Sequence, residues 1–272
     1  MKDILDSCLF KQQKNRFLEI EESANSVLAN YSGTLIIRNT IFALISNYAR
    51  KKELGIEVLR YPVDDKELWA VTFVKKGTVF LVINSKLELC KQLFAAAHEF
   101  YHIICYVEDK DLDTITEGSL LDSKTVDENA ASQEDLEANA FAGLLLMPVS
   151  HIDSQIKMYG IEPKRMTVDD VILLMDLFAI PYKAVVMRLF ENGTISESKA
   201  KELIAVKSDE VADRIERTGK AIQWQQNSDE VEIYGSLLDN MAFNIENELL
   251  TDRREQEDKE YIEKIENLFH KK

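Results

Sequence analysis

His98, Glu99 and His102 stand in the order His-Glu-x-x-His within the run Phe94-Ala95-Ala96-Ala97-His98-Glu99-Phe100-Tyr101-His102-Ile103-Ile104-Cys105. From Leu87 onward this run holds neither glycine nor proline, and its Ala, Phe, Leu and Ile content predicts a helix. Side chains four residues apart lie one above the other on a helical face, so two imidazoles reach one metal ion without backbone distortion. Glu99, beside the first imidazole, can take the proton of a water held by the metal. That is the equipment of metal-assisted amide hydrolysis. A plainer reading is a buried helix with two satisfied core histidines, which Phe94, Ala97, Tyr101, Ile104 and Cys105 would suit. The chain has only 4 histidines, and two of them fall here with the glutamate in place, which favours the metal site.

A catalytic zinc site takes three protein ligands and leaves one position open. The other histidines, His151 after Pro148 and His270 near the C-terminus, read as surface residues. A second helical stretch runs from Glu134 to Pro148, with Glu134, Asp135 and Glu137 in its first turn. Its remainder is apolar enough to pack against the first helix. The third ligand is therefore expected to be a carboxylate of that turn, and residue types alone leave open which one.

The elements that must position these groups follow from pattern. Residues 1–34 read as an N-terminal helical cover, with helical spacing to Tyr31 and a stop at Ser32-Gly33. A helix over Leu35–Lys52 is expected to end near Gly55. Strands are predicted at Ile56–Tyr61, Leu68–Val74 and Thr78–Ile83, the last two joined as a hairpin through Lys75-Lys76-Gly77. Asn84-Ser85 then ends the sheet and starts the histidine helix. A small antiparallel sheet thus leads directly into the metal-binding helix, and its edge could pair with an extended substrate.

Val107–Gln133 is polar and acidic, which predicts a mobile surface loop, either solvated or gating the cleft. Val149–Ile195 returns to helical spacing and closes a main domain over residues 35–195. Residues 196–272 form an acidic helical extension whose narrow stripe of Ile262, Ile265, Leu268 and Phe269 suits docking, a partner or a homodimer. The fold class expected is α+β and helix-rich.

Composition narrows the function. A chain of 272 residues with a net charge of −15 repels nucleic acid and anionic membranes at long range, which argues against direct contact with either. Cys8, Cys90 and Cys105 have no zinc-finger or redox-pair spacing and read as small buried hydrophobes in a reducing compartment. The N-terminus lacks a signal-peptide core, and no apolar run of about 18 residues occurs. A cytoplasmic protein is expected.

The paired motifs His-Glu-Phe-Tyr-His and Asp-Leu-Glu-Ala-Asn-Ala-Phe-Ala-Gly-Leu-Leu-Leu-Met-Pro resemble those of the ImmA/IrrE family of metallopeptidases, minimal gluzincin-like enzymes. The resemblance covers roughly residues 35–195. It implies one zinc ion per chain held by His98, His102 and a carboxylate four residues before the motif's Asn139, which is Asp135, with Glu99 as the catalytic base. The family usually has glutamate at that position, and the shorter aspartate requires the helix to come closer or bind the ion less well. Glu134 and Glu137 lie about 100° and about 200° round the helix from it and point elsewhere, Glu137 being the substitute ligand. Asn139, one turn on, is placed to hydrogen-bond the free ring nitrogen of a ligand histidine. Tyr101 and Tyr159 are the available oxyanion donors. The resemblance also implies a narrow substrate, a helix-turn-helix repressor of a mobile element, stress response or phage-related system. The alternative is a regulatory or toxin-like, defence-associated protein that binds metal and acts through partner binding.

Overall fold

A computed structural model of the chain describes residues 4–34, 36–75, 77–109, 119–122, 125, 132–219, 232–234, 253, 254, 256 and 260. It is α+β and helix-rich, as the pattern requires. The N-terminal cover comprises α1 (Ile4–Ser7), α2 (Leu9–Gln12) and α3 (Lys14–Tyr31). Next, α4 (Ile41–Lys52) starts later than the expected Leu35, because a 3-10 turn at Arg38–Thr40 precedes it. It ends on Glu53 in the left-handed conformation (φ 55°), two residues before Gly55.

Three strands follow, β1 (Gly55–Tyr61), β2 (Leu68–Lys75) and β3 (Thr78–Asn84), then the long helix α5 (Leu89–Asp109) and β4 (Ser119–Asp122). The remaining described elements are α6 (Gln133–Leu146), α7 (Val149–Met158), α8 (Val168–Phe178), α9 (Tyr182–Glu191), α10 (Glu197–Ile204), α11 (Ser208–Arg217) and β5 (Glu232–Tyr234). No helix among the described residues is long and apolar enough to cross a membrane.

The sheet runs in the order β4-β2-β3-β1-β5. β2 and β3 form the expected antiparallel hairpin, turning at Gly77 with φ 72°. The sheet is mixed rather than wholly antiparallel, since β1 runs parallel to β3 in the register Ile56↔Val79 to Tyr61↔Asn84. The cause is the path of the chain. On leaving β1, residues 62–67 cross the end of β3 before entering β2, so β3 lies between the two. Asn84 holds that crossing: its Oδ1 accepts from the Val63 and Lys86 amides, and its Nδ2 donates to the Asp65 and Leu68 carbonyls.

Two further departures concern regions expected to be free of strands. Within the acidic segment 107–133, α5 continues to Asp109 and Ser119–Asp122 pairs antiparallel with β2; most of the rest of that predicted loop lies outside the described residues. In the C-terminal extension, α10 and α11 are helices, but β5 pairs antiparallel with β1. The stripe at Ile262, Ile265, Leu268 and Phe269 lies outside the described residues, as does the homodimer contact expected of it.

The core lies between the sheet and the helices around α5. Leu93, Phe94, Ala95, Ala96, Ala97, Phe100 and Ile103 are all buried, so α5 is enclosed on nearly every side and needs apolar residues all round. Phe100 meets the rings of Tyr48 and Phe141 edge-on, at centroid distances of 5.1 and 6.3 Å. α6 packs its buried face against α5, and α3 lies along α6. At the far end of α6, the buried Arg188 of α9 donates to the Met147 carbonyl and pairs with Glu191 at 2.7 Å. Its aliphatic stem leaves room only for glycine at position 143, where a Cβ would lie 2.8 Å from Arg188 Cδ.

Candidate metal centre

His98 and His102 lie one turn apart on α5, 0% and 3% exposed, with their Nε2 atoms 3.2 Å apart. Each ring is held from behind. His98 Nδ1 lies 2.9 Å from Asn139 Oδ1, and His102 Nδ1 lies 2.9 Å from Glu134 Oε1. Both partners are oxygens that accept, so each Nδ1 carries the proton and each Nε2 is left with a bare lone pair. Asp135 Oδ1 stands 3.8 Å from both Nε2 atoms. Three electron pairs therefore converge on one point with no donor between them, and a cation resolves that repulsion.

The spacing fits such an ion. Nitrogen and oxygen ligands about 2.0–2.2 Å from a tetrahedral ion lie about 3.3–3.6 Å from one another. The three donor atoms here are 3.2, 3.8 and 3.8 Å apart. Burial, reinforced by the neighbouring His102 and opposed by the Asn139 hydrogen bond, holds His98 down to a pKa of about 3. It is therefore neutral at physiological pH, as a ligand must be.

Local sequence explains how the short Asp135 reaches the site. Ser132 caps α6, its Oγ accepting from the Asp135 amide at 3.1 Å. Asp135 returns the contact, its Oδ2 accepting from the Ser132 amide at 2.9 Å and hydroxyl at 2.7 Å. This capping box fixes one carboxylate oxygen and leaves the other turned toward the imidazoles.

Glu99 is fully buried on the same helix. Its Oε1 accepts from Ser119 Oγ of β4 at 3.4 Å, while Oε2 has no hydrogen bond of ordinary length among the described residues. Burial raises its carboxyl above the ordinary range, against the pull of His102, Thr72 and Ser119. A buried carboxylate with one unengaged oxygen, next to two metal-competent imidazoles, can accept and release a proton there.

His98, Glu99, His102 and Asp135 are thus brought together, and Asn139 stands behind His98 as expected. Other expectations are corrected. Glu134 does not point away, because its longer side chain reaches back to His102. Glu137 is not a substitute ligand: its Oε2 accepts from Arg16 at 2.7 Å and Tyr101 at 2.6 Å, and its Oε1 from Gln133 at 3.1 Å. The same bonds occupy the Tyr101 hydroxyl. Tyr159 is 46% exposed at the C-terminal cap of α7.

A further tyrosine beside the site is Tyr106, one turn beyond His102, with ring centroids 6.3 Å apart. Burial, with Glu134, Glu99 and Asp135 close by, pushes its hydroxyl up to about 12. Its i+4 spacing from His102 is the sequence signal that could have found it.

A buried pair of imidazoles, a converging carboxylate and an adjacent base define a metallopeptidase-like domain. The sequence matches the profile of the IrrE N-terminal-like domain, a peptidase family, over residues 51–190, and with just over half of its length matched the chain belongs to that family. The matched segment begins inside α4 and ends inside α9. No curated protein matches the sequence. A solved Mycobacterium tuberculosis transcriptional regulator shares 15% identity at a TM-score of 0.38, covering 68% of this chain. The chain spans half the length of that protein, 50% of it being covered.

Proposed function

We propose that this protein is a zinc-dependent endopeptidase that cleaves a specific regulatory protein, a helix-turn-helix repressor of a mobile element or stress response. The observation that supports it is the convergence of the His98 and His102 Nε2 atoms and Asp135 Oδ1 beside the buried Glu99. His98, His102 and Asp135 would hold one zinc ion per chain. Zinc, when bound, supplies polarisation of the scissile carbonyl and acidification of water, together worth several kcal/mol.

The chain's own residues do the rest. Asn139 and Glu134 hold both Nδ1 protons outward, which keeps the Nε2 lone pairs inward. Glu99 takes a proton from water and delivers it to the leaving amine, and its raised carboxyl suits both halves of that transfer. Enclosure by α5, β2 and β4 keeps bulk water from Glu99. The substrate class follows from the family resemblance and from charge, since a net charge of −15 complements a basic DNA-binding protein.

Incubation with the repressor encoded nearest the gene tests this reading. Wild type is expected to cut it, and Glu99→Gln, with metal retained, to be slower by about 10²–10⁴-fold. Equal regulation by both forms, with no cleavage, would favour a metal-containing binding protein instead.

A further inference from the structure

We infer that Arg16, on the N-terminal helix α3, is a positioning residue of the metal centre, its guanidinium clamping the histidine helix to the carboxylate helix. The inference rests on the reading of His98, His102 and Asp135 as metal ligands. Arg16 Nη2 lies 2.7 Å from Glu137 Oε2 and 3.2 Å from the Tyr101 hydroxyl, which itself donates to the same Glu137 oxygen at 2.6 Å. Tyr101 immediately precedes His102 on α5, and Glu137 stands two residues after Asp135 on α6. The three side chains thus close a ring across α3, α5 and α6 at the level of the ligands.

A second strand of contacts runs parallel to it. Gln13, the N-cap of α3, donates to Gln133 Oε1 at 2.7 Å, and Gln133 donates to Glu137 Oε1 at 3.1 Å. The first residue of the carboxylate helix is therefore tied to the first turn of α3.

This clamp acts where the core does not. The body of α6 is fixed by Ala140, Phe141, Ala142, Leu144 and Leu145, all buried. Its first turn is more weakly anchored, since Gln133 and Glu134 are exposed, Asp135 is half-buried and Leu136 alone packs, partly buried, against the core. A metal ligand has to be held within about 0.5 Å of its working position. The Asp135 side chain is short, so the turn itself must be held close. Glu137 accepts at once from Arg16, Tyr101 and Gln133, and the two helices close around its carboxylate. Arg16 lies outside residues 51–190, the segment matched by the family profile.

The test measures zinc affinity by competition with a chromophoric chelator, and thermal unfolding of the metal-free protein, on the full chain. Wild type is expected to bind one equivalent of zinc. Arg16→Ala is expected to bind at least about tenfold more weakly, with a metal-free melting temperature close to wild type. Arg16→Lys should recover only part of the loss, because an ammonium cannot present two donors in a fixed fork. If Arg16→Ala does not fold, Glu137→Gln, which keeps the shape and removes the anion, carries the same expectation. Wild-type zinc affinity in the variant overturns the inference, as does a lowered melting temperature with affinity unchanged. Failure of wild type itself to bind zinc removes the metal-site reading instead, so the two failures are distinct.

Discussion

The two helices that meet at the candidate centre are fixed in opposite ways. α5 is sealed in the core, with both histidines and the base buried, so dispersion and apolar burial hold its groups in place. The first turn of α6 lies nearer the surface, with Leu136 alone packed on the core, and its polar groups are positioned by directed contacts from Ser132, Arg16 and Gln133. Imidazoles on α5 can move only if the core moves. The carboxylate on α6 depends on a small set of hydrogen bonds that point substitutions can reach. One half of the site is tied to global stability, and the other is adjustable without it.

The largest effect expected from breaking this contrast is on the α5 side. Phe100→Ala removes a ring wedged between Tyr48 and Phe141 and should cost about 3–5 kcal/mol of stability in denaturant unfolding of the metal-free protein. A cost below about 1 kcal/mol would show that the core does not fix this helix.

The contrast is sharpened by the two groups behind the imidazoles. Asn139→Ala and Glu134→Ala should each weaken zinc binding by about 10–100-fold, as removal of an outer hydrogen-bond partner does. Only the Asn139 variant should also lower metal-free stability, because Asn139 is the better shielded of the two while Glu134 is about half exposed. Equal destabilisation by both would erase the distinction.

Much of this architecture is legible in the sequence because it is local. The histidine helix follows from i, i+4 spacing within an unbroken apolar run, and the hairpin from two β-branched runs around Gly77. What escapes depends on long-range geometry. The parallel pairing of β1 with β3 is set by where residues 62–67 cross, and β4 is four residues within an acidic segment. Glu134 is misplaced by counting angles round a helix, which locates Cβ and not the end of a long side chain. Arg16 has a local partner in Glu19, but nothing near it in the chain announces Tyr101 and Glu137, which lie 85 and 121 residues away.

The smallest expected effect is a control for the N-terminal cover. Lys11 of α2 pairs with Glu197 of α10 and with Asp6 of α1, each at 2.8 Å, and neither partner lies on a metal helix. Hydrogen bonds from Lys11 and then Lys201 draw the Glu197 carboxyl down to about 2. A depressed carboxyl stabilises above its ordinary pKa and loses that contribution as pH falls toward the folded value. Glu197→Gln should therefore lower the melting temperature slightly at about pH 7 and not at about pH 2.5, with zinc affinity unchanged. A loss of zinc affinity here would mean that any disturbance of the cover reaches the centre, and Arg16 would lose its special place.

The central claim is most directly tested by X-ray absorption at the zinc edge on the full chain loaded with one equivalent of metal. The expected result is two imidazole nitrogens and carboxylate oxygen at about 2.0–2.2 Å, with one imidazole lost in His98→Ala. Protein that retains no zinc, or a shell containing sulfur at about 2.3 Å, would contradict it.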